Sequence, residues 1–315
     1  MAEPQSSNRQ RHAHVIQYLQ YAALWIGLGL CLFAVWKLAP NLPQQVGFPS
    51  AGSAAAILTL LLTAWLCGVA AWRQLFHAFM GGMLGWRLAL RQSGLLLVGK
   101  YIPGGIFGLL ARASDSRNGE SRTQLLGIGI YEQIGTITVV FATGLALMAA
   151  ALLHPIWLGL VPAAPWAGLS AILSIHWLLK KLPLRGVLRA AIDVKALTPS
   201  LRPLLASLYI TLASALAWSG VVAWLASDIF MLPKMEAIGL AGAFGVAVTA
   251  GVLAFFAPGG IGIREFSMFG LASLWLPAPQ AMALTAILRL LAALLDLMAG
   301  LTAAALSPHT PGRPA

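Results

Sequence analysis

The chain has 315 residues, of which 59% are hydrophobic and only 9% charged, with a mean hydropathy of +0.82. A soluble domain carries about 25% charged residues, so this composition excludes one and describes a polytopic membrane protein. The net charge of +11 would suggest nucleic acid in a soluble chain. Here the basic residues collect in particular loops, as the positive-inside rule requires, and no aromatic-interleaved basic face offers itself to RNA or DNA.

In chain order, residues 1–14 form a cytoplasmic tail whose Arg9 and Arg11 precede a first span at 15–39. No small-residue cleavage site follows, so this span reads as an uncleaved anchor. An uncharged outer loop, Pro40 to Ser50, leads to a second span at 53–72. Residues 73–93, with Arg73, Trp86, Arg87 and Arg91 among glycines, are too polar to face lipid and read as interfacial or protein-packed helix. A broken segment at 94–111 has basic residues on both flanks, which predicts that it dips in and returns. Spans follow at 123–152, 156–179 and 204–227, and the basic stretch 180–203 between the last two is expected to lie on the anionic inner leaflet. A second hairpin runs from 235 past a break at 258–260 to a short arm ending before Leu276-Pro277. The last span, 279–306, returns the C-terminal tail, 307–315, to the cytoplasm.

The two breaks are the same tripeptide. Tyr101-Ile102-Pro103-Gly104-Gly105-Ile106 and Phe256-Ala257-Pro258-Gly259-Gly260-Ile261 stand about half a chain apart. Proline removes a backbone donor and each glycine costs a helix about 1 kcal/mol, so neither stretch suits a plain spanning helix. Such backbone is tolerated at membrane depth only where protein or a wet cavity surrounds it. Paired interruptions in two halves point to a transporter's binding site. The predicted fold is therefore all-α, with about six full spans plus two re-entrant broken-helix hairpins. They form an inverted repeat, 15–152 against 153–306. Gly104, Gly105, Gly259 and Gly260 are expected to supply positive φ or close backbone approach to a headgroup, whereas Gly242 reads as an ordinary helix position.

Six ionisable side chains fall at membrane depth: Lys100, Glu132, Arg264, Glu265, Arg289 and Asp296. Burying each costs about 2.5–3.5 kcal/mol on insertion scales, so each needs a partner or a cavity. One reading is a set of interhelical ion pairs. The other is a headgroup pocket in which Arg264, Lys100 and Arg112 hold phosphate while Glu132 and Asp296 orient them, with Arg289 and Asp296 lining one cavity. Arg264 leads because a guanidinium grips phosphate bidentately. The candidate binding set is thus Lys100, Pro103, Gly104, Gly105, Arg112, Glu132, Pro258, Gly259, Gly260, Arg264, Glu265, Arg289 and Asp296. Trp36, Trp72, Trp157, Trp177 and Trp224 fall near span ends, as an interfacial belt would, while Trp25 and Trp65 read as packing residues. Cys31 and Cys67 lie in apolar runs and suggest neither a disulfide nor a metal site. HExxH, GxSxG and Walker A motifs are missing, so no cofactor, metal or enzymatic activity is expected.

Pro258-Gly259-Gly260-Ile261-Gly262-Ile263-Arg264-Glu265 resembles the PGG-hydrophobic-G-hydrophobic-RE signature of the lysylphosphatidylglycerol synthase transmembrane-domain family, the flippase-like integral membrane proteins. A looser match joins Pro103, Gly104, Gly105, Gly108 and Arg112, with Leu109 where that family has an acid, and Glu132 falls where it tends to place an acid in the following helix. The resemblance covers nearly the whole chain and implies movement of a lipid between leaflets. The family's soluble aminoacyl-transfer domain has no counterpart, so lipid aminoacylation is not expected. The leading expectation is a flippase of the bacterial inner membrane for an anionic phospholipid or polyprenyl-phosphate-linked glycolipid. The alternatives are a non-transporting partner of a lipid or glycan synthase or glycosyltransferase, and an integral membrane transferase using Glu132 or Glu265 as base.

Overall fold

The structure, a computed structural model, describes residues 50–101, 107–116, 120–181, 199–254, 257, 260 and 262–306. The first span, both tails, most of the basic stretch 180–203, and Pro103, Gly104, Gly105, Pro258 and Gly259 lie outside the described residues. Every regular element among those described is helical, and the chain is an all-α polytopic membrane protein.

Helix α1, Ala51–Met80, starts where Ser50 accepts a hydrogen bond from the Ser53 amide at 3.1 Å and stops at Gly81 in the left-handed region, φ 74°. It runs on well past residue 72, where the expected second span ends. Leu75, Phe76, Ala78 and Phe79 are buried, so its polar-flanked end is packed in protein instead of breaking at the interface. Trp72 is fully buried too, which removes it from the expected interfacial belt. Trp157, Trp177 and Trp224 remain well exposed.

Two short helices follow, α2, Trp86–Gly99, and α3, Phe107–Ala113. At 1.5 Å per residue neither reaches across a hydrocarbon core of about 30 Å. They fold back on each other as an antiparallel hairpin. A Cβ built on Gly99 would lie 2.6 Å from the Gly108 Cα, and at the open end Arg91 meets Asp115 at 2.8 Å.

Helix α4, Arg122–Leu152, opens on a capping box between Ser121 and Gln124. A 3-10 segment at Pro155–Ala163 then leads into α5, Ala164–Lys181. The remaining helices are α6, Leu201–Asp228; α7, Lys234–Leu253; α8, Ile263–Ala272; and α9, Ala278–Ala305. The second hairpin, α7 with α8, is unequal. At 20 residues α7 is long and apolar enough to cross a membrane alone, unlike an ordinary re-entrant arm, whereas α8 has only 10 residues.

The packing repeats itself. α1 packs along α6, α2 against α9, and α4 against α7; each hairpin closes on itself, and its second arm touches the next helix. Exchanging α1 with α6, α2 with α7, α3 with α8 and α4 with α9 maps this set of neighbours onto itself. The α1–α6 pair is antiparallel, because Ser207 donates to the Ala71 carbonyl and Ser214 to that of Ala64, both at 2.8 Å. Glycines carry both long crossings. A Cβ on Gly242 would stand 2.5 Å from the Gly144 carbonyl oxygen, and one on Gly94 2.2 Å from that of Ala299. Gly242 is therefore a tight contact between spans and not an ordinary helix position.

Candidate functional site

A cavity of about 320 Å³ opens where the two hairpins meet α1, α4, α6 and α9. Five ionised side chains line it: Lys100, Arg112, Glu132, Arg264 and Asp296. The chain delivers them from both halves. Lys100 ends α2 at the first break, Arg112 lies on α3 and Glu132 on α4. Arg264 enters on α8 just after the second break, and Asp296 comes from α9.

Arg112 is 1% exposed and its guanidinium lies 3.9 Å above the Trp72 ring. It is paired with Glu132 and donates through Nε to the Gln92 carbonyl at 3.3 Å. Gln92 is itself held, accepting from the Trp72 indole at 3.0 Å and donating to the Asp115 carbonyl at 3.1 Å. Aromatic stacking and a carboxylate make this arginine the keystone that fixes α3 between α1, α2 and α4.

Lys100 lies 2.8 Å from the Asp296 carboxylate, which also accepts a hydrogen bond from the Tyr101 hydroxyl at 2.6 Å. This joins the first break to the last span. Arg289 and Glu265 pair at 3.5 Å between α9 and α8, mirroring the Arg112–Glu132 pair between α4 and α3. Asp296 lines the cavity, whereas Arg289, one of two residues expected there, is engaged beside it with Glu265.

Arg264 differs from all of these. It makes no ion pair within 4 Å among the described residues, and its guanidinium rests 4.9 Å from the centre of the Phe244 ring. The local backbone explains its placement. Gly262, at φ 88°, turns the chain into α8, where its amide is capped by the Glu265 carboxylate at 2.7 Å. Gly260, at φ 70°, lies so close to α7 that a Cβ would stand 2.8 Å from the Gly251 carbonyl oxygen. A Cβ on Gly251 would in turn sit 2.8 Å from the Arg264 Cβ, so this glycine gives the arginine's stem its room. Of the expected glycine roles, Gly260 shows the positive φ, and its close approach is to the backbone of α7.

Three cations against two acids leave the cavity wall with one positive charge in excess. The two acids are engaged by Arg112 and by Lys100 with Tyr101, so the excess falls on Arg264. Among the described residues no group of three or more His, Cys, Asp or Glu side chains could hold a metal. Sequence reading named the five ionised groups and missed Tyr101, Phe244 and the hydroxyls of Thr136 and Thr143. The hydroxyls carried a readable signal, since 132, 136 and 143 recur at helical spacing on one face of an otherwise apolar span.

The class these features define is an all-α membrane protein whose quasi-repeated halves enclose a cationic cavity. Neither a comparison with protein-family models nor one with curated proteins gives a match to this chain.

Proposed function

We propose that the protein is a flippase of the bacterial inner membrane, with both termini cytoplasmic. It moves an anionic phospholipid or a polyprenyl-phosphate-linked glycolipid between leaflets by alternating access. The observation that carries this reading is Arg264, a guanidinium on the wall of a cavity at the meeting of two broken helices, with no ion pair to an acid among the described residues. An unpaired charge at membrane depth is expensive, and a phosphate that supplies both the counter-charge and two acceptors relieves that cost. Phe244 supports the flat cation without competing for its hydrogen bonds. The resemblance to the flippase-like family points the same way, and its Arg-Glu pair falls on Arg264 and Glu265. The two carboxylates suggested as transferase bases, Glu132 and Glu265, are both tied to arginines, which weighs against general-base work.

The test is a leaflet-resolved assay with the purified chain in liposomes. A fluorescent anionic lipid on the inner leaflet is expected to become accessible to an external quencher with the wild type and to stay protected with Arg264→Ala. Protection by both proteins, in liposomes where the wild type is folded, would favour a non-transporting partner of a synthase or glycosyltransferase and overturn the proposal.

A further inference from the structure

Beyond its ionised groups the cavity wall is mostly apolar, with a few neutral polar side chains set into it. Thr136 and Thr143 lie along it on α4, Ser219 on α6 and Ser93 on α2, with Trp65 on α1. Three buried atoms of these residues find no hydrogen-bond partner among the described residues: Thr143 Oγ1, Ser93 Oγ and Trp65 Nε1. Thr143 is 1% exposed and Ser93 7%. Buried polar groups are nearly always paired, so three orphans around one cavity point to a ligand that brings its own donors and acceptors. A second feature limits the ligand's charge. Both acids on the wall are already paired, so none remains for an ammonium group. The single excess positive charge matches one phosphodiester and not a second phosphate charge.

We infer that the cavity selects a lipid phosphodiester carrying a neutral polyol, a glycerol or sugar, and disfavours headgroups with an amine or an additional phosphate charge. This rests on the reading of Arg264 as the anion site and adds the class of headgroup bound beside it. Arg264 takes the phosphodiester oxygens, and the threonine, serine and indole groups take the hydroxyls. At about 320 Å³ the cavity lies at the small end for ligand sites, which suits one glycerol or monosaccharide. The same chemistry occurs in phosphatidylglycerol and in a polyprenyl phosphomonosaccharide.

Matched lipids test this with the purified full chain in detergent, read by the concentration that half-saturates the lipid-induced rise in melting temperature. Phosphatidylglycerol is set against phosphatidylethanol, which has the same phosphodiester charge without hydroxyls. A polyprenyl phosphoglucose is set against a polyprenyl methyl phosphate in the same way. In at least one pair the polyol lipid is expected to act at about fivefold lower concentration, the factor for one hydrogen bond. Thr143→Val and, independently, Thr136→Val are expected to shrink that gap, Thr143→Ser to keep it, and Arg264→Ala to weaken both members equally. The pair that shows the gap names the source. Equal action within both pairs, still weakened by Arg264→Ala, would overturn the polyol subsite alone. Indifference to Arg264→Ala would instead overturn the anion site beneath it. Phosphatidylethanolamine or a pyrophosphate-linked polyprenol acting as well as the polyol lipid would refute the charge selection.

Discussion

Two arginines that look alike in sequence stand in opposite surroundings. Arg112 and Arg264 each follow a Pro-Gly-Gly break, and both were legible as candidate phosphate ligands. Only the fold separates them, because Glu132, Trp72 and Gln92 converge on Arg112 from three helices while no acid among the described residues forms an ion pair with Arg264. Pairing across helices depends on register, and one sequence does not carry it. Arg112→Ala leaves Glu132 without its buried partner, a loss of about 3–5 kcal/mol. Purified yield and melting temperature are expected to fall together, with partial rescue by Glu132→Gln. Arg264→Ala is expected to melt close to the wild type and lose lipid translocation, while Arg264→Lys keeps the charge without the fork and retains part of the activity. An unstable Arg264→Ala protein rescued by Asp296→Asn would assign Arg264 a structural role.

At the scale of helices, the glycines divide into those that join elements and those that leave space. Gly144 and Gly242 bring α4 and α7 into backbone contact, and Gly251 admits Arg264. Gly68, on the cavity wall, has open space where a Cβ would point. Gly242→Val is expected to abolish stable expression. Gly68→Ala is expected to be tolerated, since alanine favours helix by about 1 kcal/mol over glycine. Gly68→Trp should keep the melting temperature and cut translocation at least tenfold by filling the cavity. Equal transport by Gly68→Trp and wild type would place the lipid path elsewhere. Helix existence was plain from hydropathy, and the ends of α4, α6, α7 and α9 fall within a few residues of expectation. The end of α1 was not plain, because Trp72, Arg73 and Gln74 look like an interface until Arg73 is seen donating to the Leu84 carbonyl and stacking on Trp86.

Across the whole molecule, the repeat was visible as two copies of one tripeptide, and the structure adds the exchange of neighbours between the halves. The cavity itself was not visible, since its walls come from eight helices spread along the chain. The hairpin of α2 and α3 brings Arg91 to Asp115, so its two open ends lie together. Cysteines at the exposed positions Arg87 and Ser114, in a chain with Cys31 and Cys67 replaced by serine, should be labelled from the same membrane face, the cytoplasmic one. Labelling from opposite faces would make the segment a full span. Alternating access is tested most directly at the cavity wall. With a single cysteine at Thr136 in proteoliposomes of known orientation, a membrane-impermeant thiol reagent should label the site when supplied on either face alone, and an excess of bound anionic lipid should slow both reactions. Labelling from one face only, whatever lipid is present, would contradict a cavity that opens in turn to both leaflets.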